Sequence, residues 1–198
     1  MTGVQTCALP ISAEFGTNPC GEIILRPHQF CNLSVAVARP TDTPDTLATK
    51  VQLATVLGTL QADLTQFAYL RPTWAANCNE ERLLGVDITG ACDSPLLTDP
   101  DQSPLLLQRL QRVARETNAA LATQMGLPVS AAVTCNKPSG NSSQLLDAAS
   151  GIHPRYAPYY LRRLRLGARA PLAEHLRQLG LPMYPEVGQG PTLDDARV

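Results

Sequence analysis

The run Asn18-Pro19-Cys20-Gly21-Glu22 sets an amide, a thiol and a carboxylate at alternate positions, and a second thiol follows in Cys31-Asn32-Leu33. In extended backbone, residues two apart project to the same side, so the three polar groups are expected to face one small volume. Pro19 fixes its own φ and Gly21 opens backbone angles closed to other residues, which makes the stretch a tight loop tip with Cys20 outward. A carboxylate beside a thiol raises the thiol pKa and disfavours a thiolate nucleophile, leaving a neutral thiol or hydrogen-atom chemistry. The step from Cys20 to Cys31 is too long for a redox turn of the Cys-x-x-Cys kind. A surface turn that merely contains a cysteine is the plainer alternative, and the second Cys-Asn-Leu heading a strand argues against it.

Lys137-Pro138-Ser139-Gly140-Asn141-Ser142-Ser143 is the other stretch with chemistry in it. It follows an expected strand and is rich in small residues whose N–H groups can turn inward. A helix expected over 144–149 would add its positive end, which suits an anion. The lysine of a Walker loop is missing, so nucleotide hydrolysis is not implied, and an ordinary polar turn is the alternative. Arg155, Arg162, Arg163, Arg165 and Arg169 crowd one segment, as a solvated face or beside an anionic ligand. His153 is a candidate base or ligand, but next to Pro154 it reads first as a structural hydrogen-bonding group, and neither the cysteines nor the histidines have zinc-site spacing. Cys78, Cys92 and Cys135 lie in or beside core segments and read as small inert hydrophobes. Glu80, Glu81 and Asp87 are candidate catalytic carboxylates, against the plainer reading of Glu80 and Glu81 as a solvated helix end and Asp87 as a strand-end hydrogen bonder.

The elements that must hold these residues alternate in type. Cys31 to Val37 is short, apolar and partly β-branched, as a buried strand requires. Thr43-Pro44 is an N-cap with a proline at the first helical position, and Leu47, Val51, Ala54, Leu57 and Leu64 keep helical spacing to about Phe67. A looser polar segment with Trp74 leads to a second strand, Leu83 to Thr89. Ser103-Pro104 repeats the cap signal before a helix marked by Leu106, Leu110, Val113, Ala114, Thr117 and Leu121, which stops near Gly126. Ser130 to Cys135 is a third strand, Tyr159 to Leu166 a strand or a helix, and Pro171 to Leu179 a short helix. Beyond Pro182 the chain reads as loop with one more strand. The alternation implies parallel pairing in an α/β fold with helices outside a sheet or barrel, and the loop over 136–147 falls at the carboxyl ends of the strands, where active sites gather.

Composition narrows the class of protein. A net charge of -1 over 198 residues favours neither nucleic acid nor an acidic membrane as partner, and 44% hydrophobic residues suit a globular core. The six cysteines show no close pair, so reduced thiols in the cytoplasm are expected rather than a disulfide framework. No apolar run reaches membrane-spanning length, and the start lacks the regions of a secretory signal. Thr2 to Ile11, TGVQTCALPI, matches the translation of a common sequencing-adapter strand, so 1–12 is expected to be an artefact and Cys7 to drop from the inventory.

TNPCGEI, FCNL, EERLLGVDITG and TCNKPSGNSSQLLDAASGIHPRYAPYYLRRLR, in that order, resemble the catalytic subunit of ribonucleotide reductases, most closely the monomeric adenosylcobalamin-dependent (class II) ribonucleoside-triphosphate reductases. The resemblance implies the second half of a ten-stranded α/β barrel with a central finger loop, with 13–198 a partial catalytic barrel domain truncated at both ends. It implies radical-based reduction of ribonucleoside triphosphates to 2'-deoxyribonucleoside triphosphates for DNA synthesis, with adenosylcobalamin bound by the full-length parent. Cys20 would become the thiyl radical and take the 3' hydrogen, Glu22 would act as base on the 3' hydroxyl, and Asn18 would hold the sugar hydroxyls. Cys31 would be one of a pair of reducing thiols, restored by thioredoxin or another dithiol, and Ser139, Gly140, Asn141, Ser142 and Ser143 would cradle the substrate phosphates.

The chain departs from the family in ways that matter. The thiol partner of Cys31 is expected in the first half of the barrel, and Asn141 stands where many relatives have threonine. The first half-barrel, the allosteric site, most of the cofactor surface and the C-terminal thiols are expected to be missing, so this chain alone is expected to be inactive. Two other readings remain: a reductase large subunit that takes its radical from a separate metal-containing subunit, and a non-catalytic phosphate-binding module in which Cys20 is incidental.

Overall fold

The computed structural model describes residues 14–161 and 163–185, and the chain falls into two units, 1–155 and 156–198. The first opens with a hairpin of two very short strands, β1 (Gly16–Thr17) and β2 (Ile24–Leu25), paired antiparallel with Gly16 opposite Leu25. It is followed by β3 (Asn32–Val37), α1 (Pro44–Ala62), α2 (Pro72–Glu81), β4 (Leu84–Thr89), α3 (Pro95–Thr98), α4 (Ser103–Met125) and α5 (Gly140–Leu145). As the alternation implies, β3 and β4 are parallel, in register from Asn32 opposite Leu84 to Val37 opposite Thr89.

The expected third strand is reduced to a single parallel bridge between Val86 and Thr134. Leu84 and Val86, two apart on β4, donate their N–H groups to the adjacent carbonyls of Ala132 (2.9 Å) and Val133 (2.8 Å). That mismatch of spacing is a bulge, and it breaks the ladder. The described residues therefore form a mixed α/β unit and contain no closed barrel.

Helix α1 begins as the sequence signals. Thr43 Oγ1 accepts the Thr46 N–H (3.2 Å), while Thr46 Oγ1 accepts the Thr43 N–H (2.9 Å). Its buried face differs from the expected one: Leu57 is 65% exposed and Leu64 lies beyond the helix end, while Thr55 and Thr59 are buried. The threonines fit the interior because their hydroxyls donate to carbonyls of their own helix, Val51 O and Thr55 O, both at 2.8 Å. The helix stops at Ala62, whose carbonyl accepts from the buried Arg82 guanidinium at 3.0 Å.

Helix α2 replaces the expected loose segment. Only Cys78 and Glu81 of it are buried, so it carries no apolar stripe to read from sequence. Helix α4 starts one residue earlier than the cap signal implies: Ser103 is within the helix, and Gln102 holds the cap position without a side-chain bond. Its buried residues are Leu106, Leu110, Ala114, Asn118 and Ala122, and Val113, Thr117 and Leu121 are only partly covered. The core joins Ala36, Ala38, Leu84 and Val86 of the strand region to Leu47, Val51 and Ala54 of α1 and Leu106, Leu110 and Ala114 of α4. Each large apolar side chain buried there contributes roughly 1.5–3 kcal/mol.

The second unit has one helix among the described residues, α6 (Pro171–Gln178), close to the expected bounds. Described residues between 159 and 166 form no strand or helix, against the expectation of one or the other. Residues 1–13, which include the adapter-like start, Arg162 and 186–198, most of the stretch beyond Pro182 in which one more strand is expected, lie outside the described residues. Among the described residues no helix is long and apolar enough to cross a membrane, and no group of His, Cys, Asp or Glu side chains could hold a metal ion.

Candidate active site

The site is built on the face of the strands opposite the helices. A Cβ at Gly85 would stand 2.5 Å from Leu33 Cδ2, 3.1 Å from Cys135 Sγ and 3.2 Å from Ile23 Cδ1, so the hairpin's Ile23 lies directly on the strands there. Only a glycine admits that approach. Alternation along the strands puts Cys31, Leu33, Gly85 and Asp87 on this same face.

The hairpin between β1 and β2 is the tight tip that Pro19 and Gly21 imply. The Gly21 N–H donates to Asn18 O (2.9 Å), the Asn18 N–H to Ile23 O (3.2 Å), and Gly21 takes φ +77°. Cys20 is exposed at the end. The three polar residues do not share one side, because the turn at Gly21 ends the extended alternation. Asn18 folds back, its Oδ1 accepting the Ile23 N–H at 3.0 Å, while Glu22 points inward with both carboxylate oxygens buried and unpartnered.

The carboxylates after Trp74 anchor the hairpin's trailing arm. Arg26 Nη2 donates to Glu80 Oε2 (2.9 Å), and Gln29 Nε2 donates to Glu81 Oε2 (2.5 Å). Arg26 Nε lies 3.1 Å from Glu81 Oε1, an ion pair too bent for a hydrogen bond. Glu81 is thus buried rather than solvated, and sequence alone hides this because its partners are some fifty residues away.

The thiols divide differently from the expectation. Cys78 is buried and accepts the Phe30 N–H at 3.4 Å, as an inert core residue. Cys92 is not in the core: it is exposed, with its S–H donating to Ile152 O at 3.2 Å. Cys135, to which sequence assigns no role, lies on the site face with Cys31. Burial, then the Glu22 charge, pushes the Cys31 thiol up to about 12. Burial and the charges of Asp87, Cys31 and Glu22 push Cys135 up further. Both are neutral thiols at pH 7.

Asp87 does more than bond at a strand end. It is 3% exposed, Oδ1 accepts the Lys137 N–H at 3.1 Å, and Oδ2 is buried without a partner. Burial pushes its carboxyl up to about 6, against the Lys137 hydrogen bond, which lowers it. In an unfolded chain the carboxyl titrates near 3.9. The folded state therefore keeps the extra proton, and this contribution is complete below about pH 4 and lost as the pH rises through about 6. Urea unfolding from pH 4 to 7 should show the stability difference between wild type and Asp87→Asn changing by on the order of 2 kcal/mol across that window. A constant difference would contradict the shift.

The loop Ser139 to Ser143 follows Asp87's partner Lys137, and the helix it enters, α5, starts earlier than the expected 144–149. Ser142 Oγ donates to Ser139 O (2.6 Å) and the fully buried Ser143 donates to Gly140 O (2.7 Å). Ser139 Oγ is buried and unpartnered, and nothing stands within 4 Å of a Cβ built on Gly140. Asn141 is exposed. The loop is buttressed from behind: Thr89 Oγ1 donates to Ala149 O (3.0 Å) and accepts the Gly151 N–H (2.9 Å).

Arg155 completes the buttress. It donates to Asp93 Oδ1 (2.9 Å) and Asp147 Oδ1 (2.9 Å), and its hydrogen bond holds the Asp93 carboxyl below the usual carboxylate range. Of the two readings of the arginine-rich segment, Arg155 is exposed as the solvated face implies, and its guanidinium pairs with carboxylates. His153 is structural as expected, its ring Nδ1 3.1 Å from Ser150 O.

No family model matches the chain. It is 26% identical over 201 residues to an adenosylcobalamin-dependent ribonucleoside-triphosphate reductase of Lactobacillus acidophilus, covering 87% of this chain and 26% of that protein. The enzyme of the same name from Lacticaseibacillus paracasei is 26% identical over 205 residues, with the same coverage. A crystal structure of a B12-dependent (class II) ribonucleotide reductase superposes with a TM-score of 0.66 at 22% identity, over 89% of this chain and 28% of that one. The chain spans about a quarter of the length of the curated relatives it matches. Over that span it is homologous to the adenosylcobalamin-dependent ribonucleoside-triphosphate reductases, with a fold that matches part of a class II ribonucleotide reductase.

Proposed function

We propose that this chain carries the radical hairpin, one reducing thiol and the phosphate loop of an enzyme that reduces ribonucleoside triphosphates to 2'-deoxyribonucleoside triphosphates in the cytoplasm. The observation that carries this reading is the hairpin, which exposes Cys20 at its tip and holds Glu22 unpartnered beside the neutral thiol of Cys31. Cys20 takes the 3' hydrogen of the ribose, Glu22 accepts the 3' hydroxyl proton, and the Asn18 amide nitrogen donates to the sugar hydroxyls. The 2' C–O bond breaks and the hydroxyl leaves as water with a proton from one of the thiols; Cys31 and a partner thiol form a disulfide, their other hydrogen going to C2', and Cys20 and Glu22 return the 3' hydrogen and the hydroxyl proton. Thioredoxin or another dithiol reduces that disulfide. Ser139, Gly140, Asn141, Ser142 and Ser143 cradle the phosphates, with backbone N–H groups as the main donors.

Adenosylcobalamin, when bound, supplies the organic radical that starts the reaction. The tip fits an approach from outside the chain, since Cys20 is exposed and no atom lies within 4 Å of a Cβ built on Gly21. In this reading residues 13–198 are part of a ten-stranded α/β barrel completed by further chain. The complete protein encoded by the gene, assayed with CTP and a dithiol, should form dCTP only when adenosylcobalamin is added. Turnover that needs an iron or manganese subunit instead would reject the cobalamin assignment, and CTP binding without turnover in either case would reject the enzyme.

A further inference from the structure

The hairpin that carries Cys20 has little of its own to hold it. Its strands are two residues each, and Gly16, Thr17 and Ile24 are exposed, so neither pairing nor burial within the hairpin fixes where the tip stands. Two points outside it do. One is Ile23 over Gly85. The other is a buried polar lock on the trailing arm, where Gln29 and Glu81 are 5% and 8% exposed and Gln29 Nε2 donates to Glu81 Oε2 at 2.5 Å. The same amide accepts the Arg26 N–H on Oε1 at 2.9 Å, so the arm from 26 to 29 is folded over one carboxylate.

This lock stands on a fixed base. Glu81 O accepts the Ala131 N–H at 2.9 Å, and Asn77 Nδ2 adds a bond from α2 to Pro27 O on the arm, also 2.9 Å. The buried Arg82 donates to Ala62 O (3.0 Å) and Asn79 Oδ1 (2.9 Å), which ties the end of α2 to the end of α1.

We propose that Gln29 and Glu81 are positioning residues for the Cys20 thiol, acting through the buried bond that seats the hairpin arm on α2. This rests on the reading of Cys20 as the thiol that takes the 3' hydrogen. A displacement of about 1 Å, even one caused far from the chemistry, can cost on the order of a hundredfold in rate. Both residues are buried at the arm while Cys20 is exposed at the tip, so breaking their bond lowers kcat and leaves KM for the nucleotide unchanged.

The two side chains can be exchanged. Gln29→Glu sets two carboxylates against each other, whereas Gln29→Glu combined with Glu81→Gln again lets an amide donate to a carboxylate, in the opposite direction. Hydrogen exchange of the complete protein, without nucleotide or cofactor, should show the bonded amides of Asn18, Gly21 and Ile23 exchanging about tenfold faster in Gln29→Glu and near the wild-type rate in the swap, with the amides of β4 unchanged. In turnover, kcat for dCTP formation should fall by about tenfold or more in Gln29→Glu at constant KM and recover in the swap. Thr59→Ala, which removes a bond to Asn118 between α1 and α4, should leave kcat unchanged. Hairpin amides at the wild-type rate in Gln29→Glu, a swap that restores neither exchange nor kcat, or β4 amides that accelerate equally, each overturn the proposal. Because exchange needs neither substrate nor cofactor, a lock that behaves as expected in a protein without turnover faults the reductase reading and not the lock.

Discussion

If the proposed function is right, the Cys20→Ser variant of the complete protein is expected to form no deoxynucleotide above background while still binding ribonucleoside triphosphate. Serine is nearly isosteric and Cys20 is exposed, so the fold should change by no more than about 0.5 kcal/mol. What is lost is the chemistry. An O–H bond is stronger than an S–H bond, so a serine hydroxyl cannot take over the radical role proposed for the thiol. Cys92→Ser is the control: its thiol is exposed, bonded to Ile152 O, and outside the site, so turnover should be unchanged. Steady-state formation of dCTP and equilibrium binding of CTP measure the two properties separately. Substantial turnover by Cys20→Ser would reject the radical role outright.

Asn118→Ala is expected to destabilise the chain by about 3 kcal/mol, from a cavity plus lost buried hydrogen bonds. Asn118 has no solvent exposure, and its Oδ1 accepts the Ser130 N–H at 3.0 Å. Its Nδ2 donates to Thr59 Oγ1 and Ser130 Oγ, both at 3.0 Å. One side chain therefore ties α4 to α1 and to the start of the segment that leads to Cys135 and the phosphate loop. Thr59→Ala removes one of these contacts, and its cost should be nearer 1 kcal/mol. Urea unfolding followed by circular dichroism measures both, and equal midpoints for the two variants would show that the network is not cooperative.

Local pattern alone was enough for several parts of this molecule. Thr43-Pro44 starts a helix because cap, proline and Thr46 are all within four residues, and Asn18 to Glu22 makes a turn because Pro19 and Gly21 restrict the backbone there. The parallel pairing of β3 and β4 follows from a long helix between two short apolar runs. The likeness of four separated motifs to the reductases was legible before any coordinates, and the comparisons bear it out over about a quarter of those proteins.

What the tertiary structure decided depends on residues far apart in sequence. Glu81 changes from a solvated residue to a buried anchor because Arg26 and Gln29 reach it from the hairpin arm. Asn118 and Thr59 are interior although they are polar, since each finds its partner on another element or in its own helix. Most of all, Asp87 and Cys135 join Glu22 and Cys31 only when the hairpin's Ile23 settles over Gly85. Spacing along the chain could place Cys20, Glu22 and Asn18 near one another, but it put them on one side. The turn at Gly21 sends the thiol outward and the carboxylate inward, where burial and the charges of neighbouring groups set the protonation of the site.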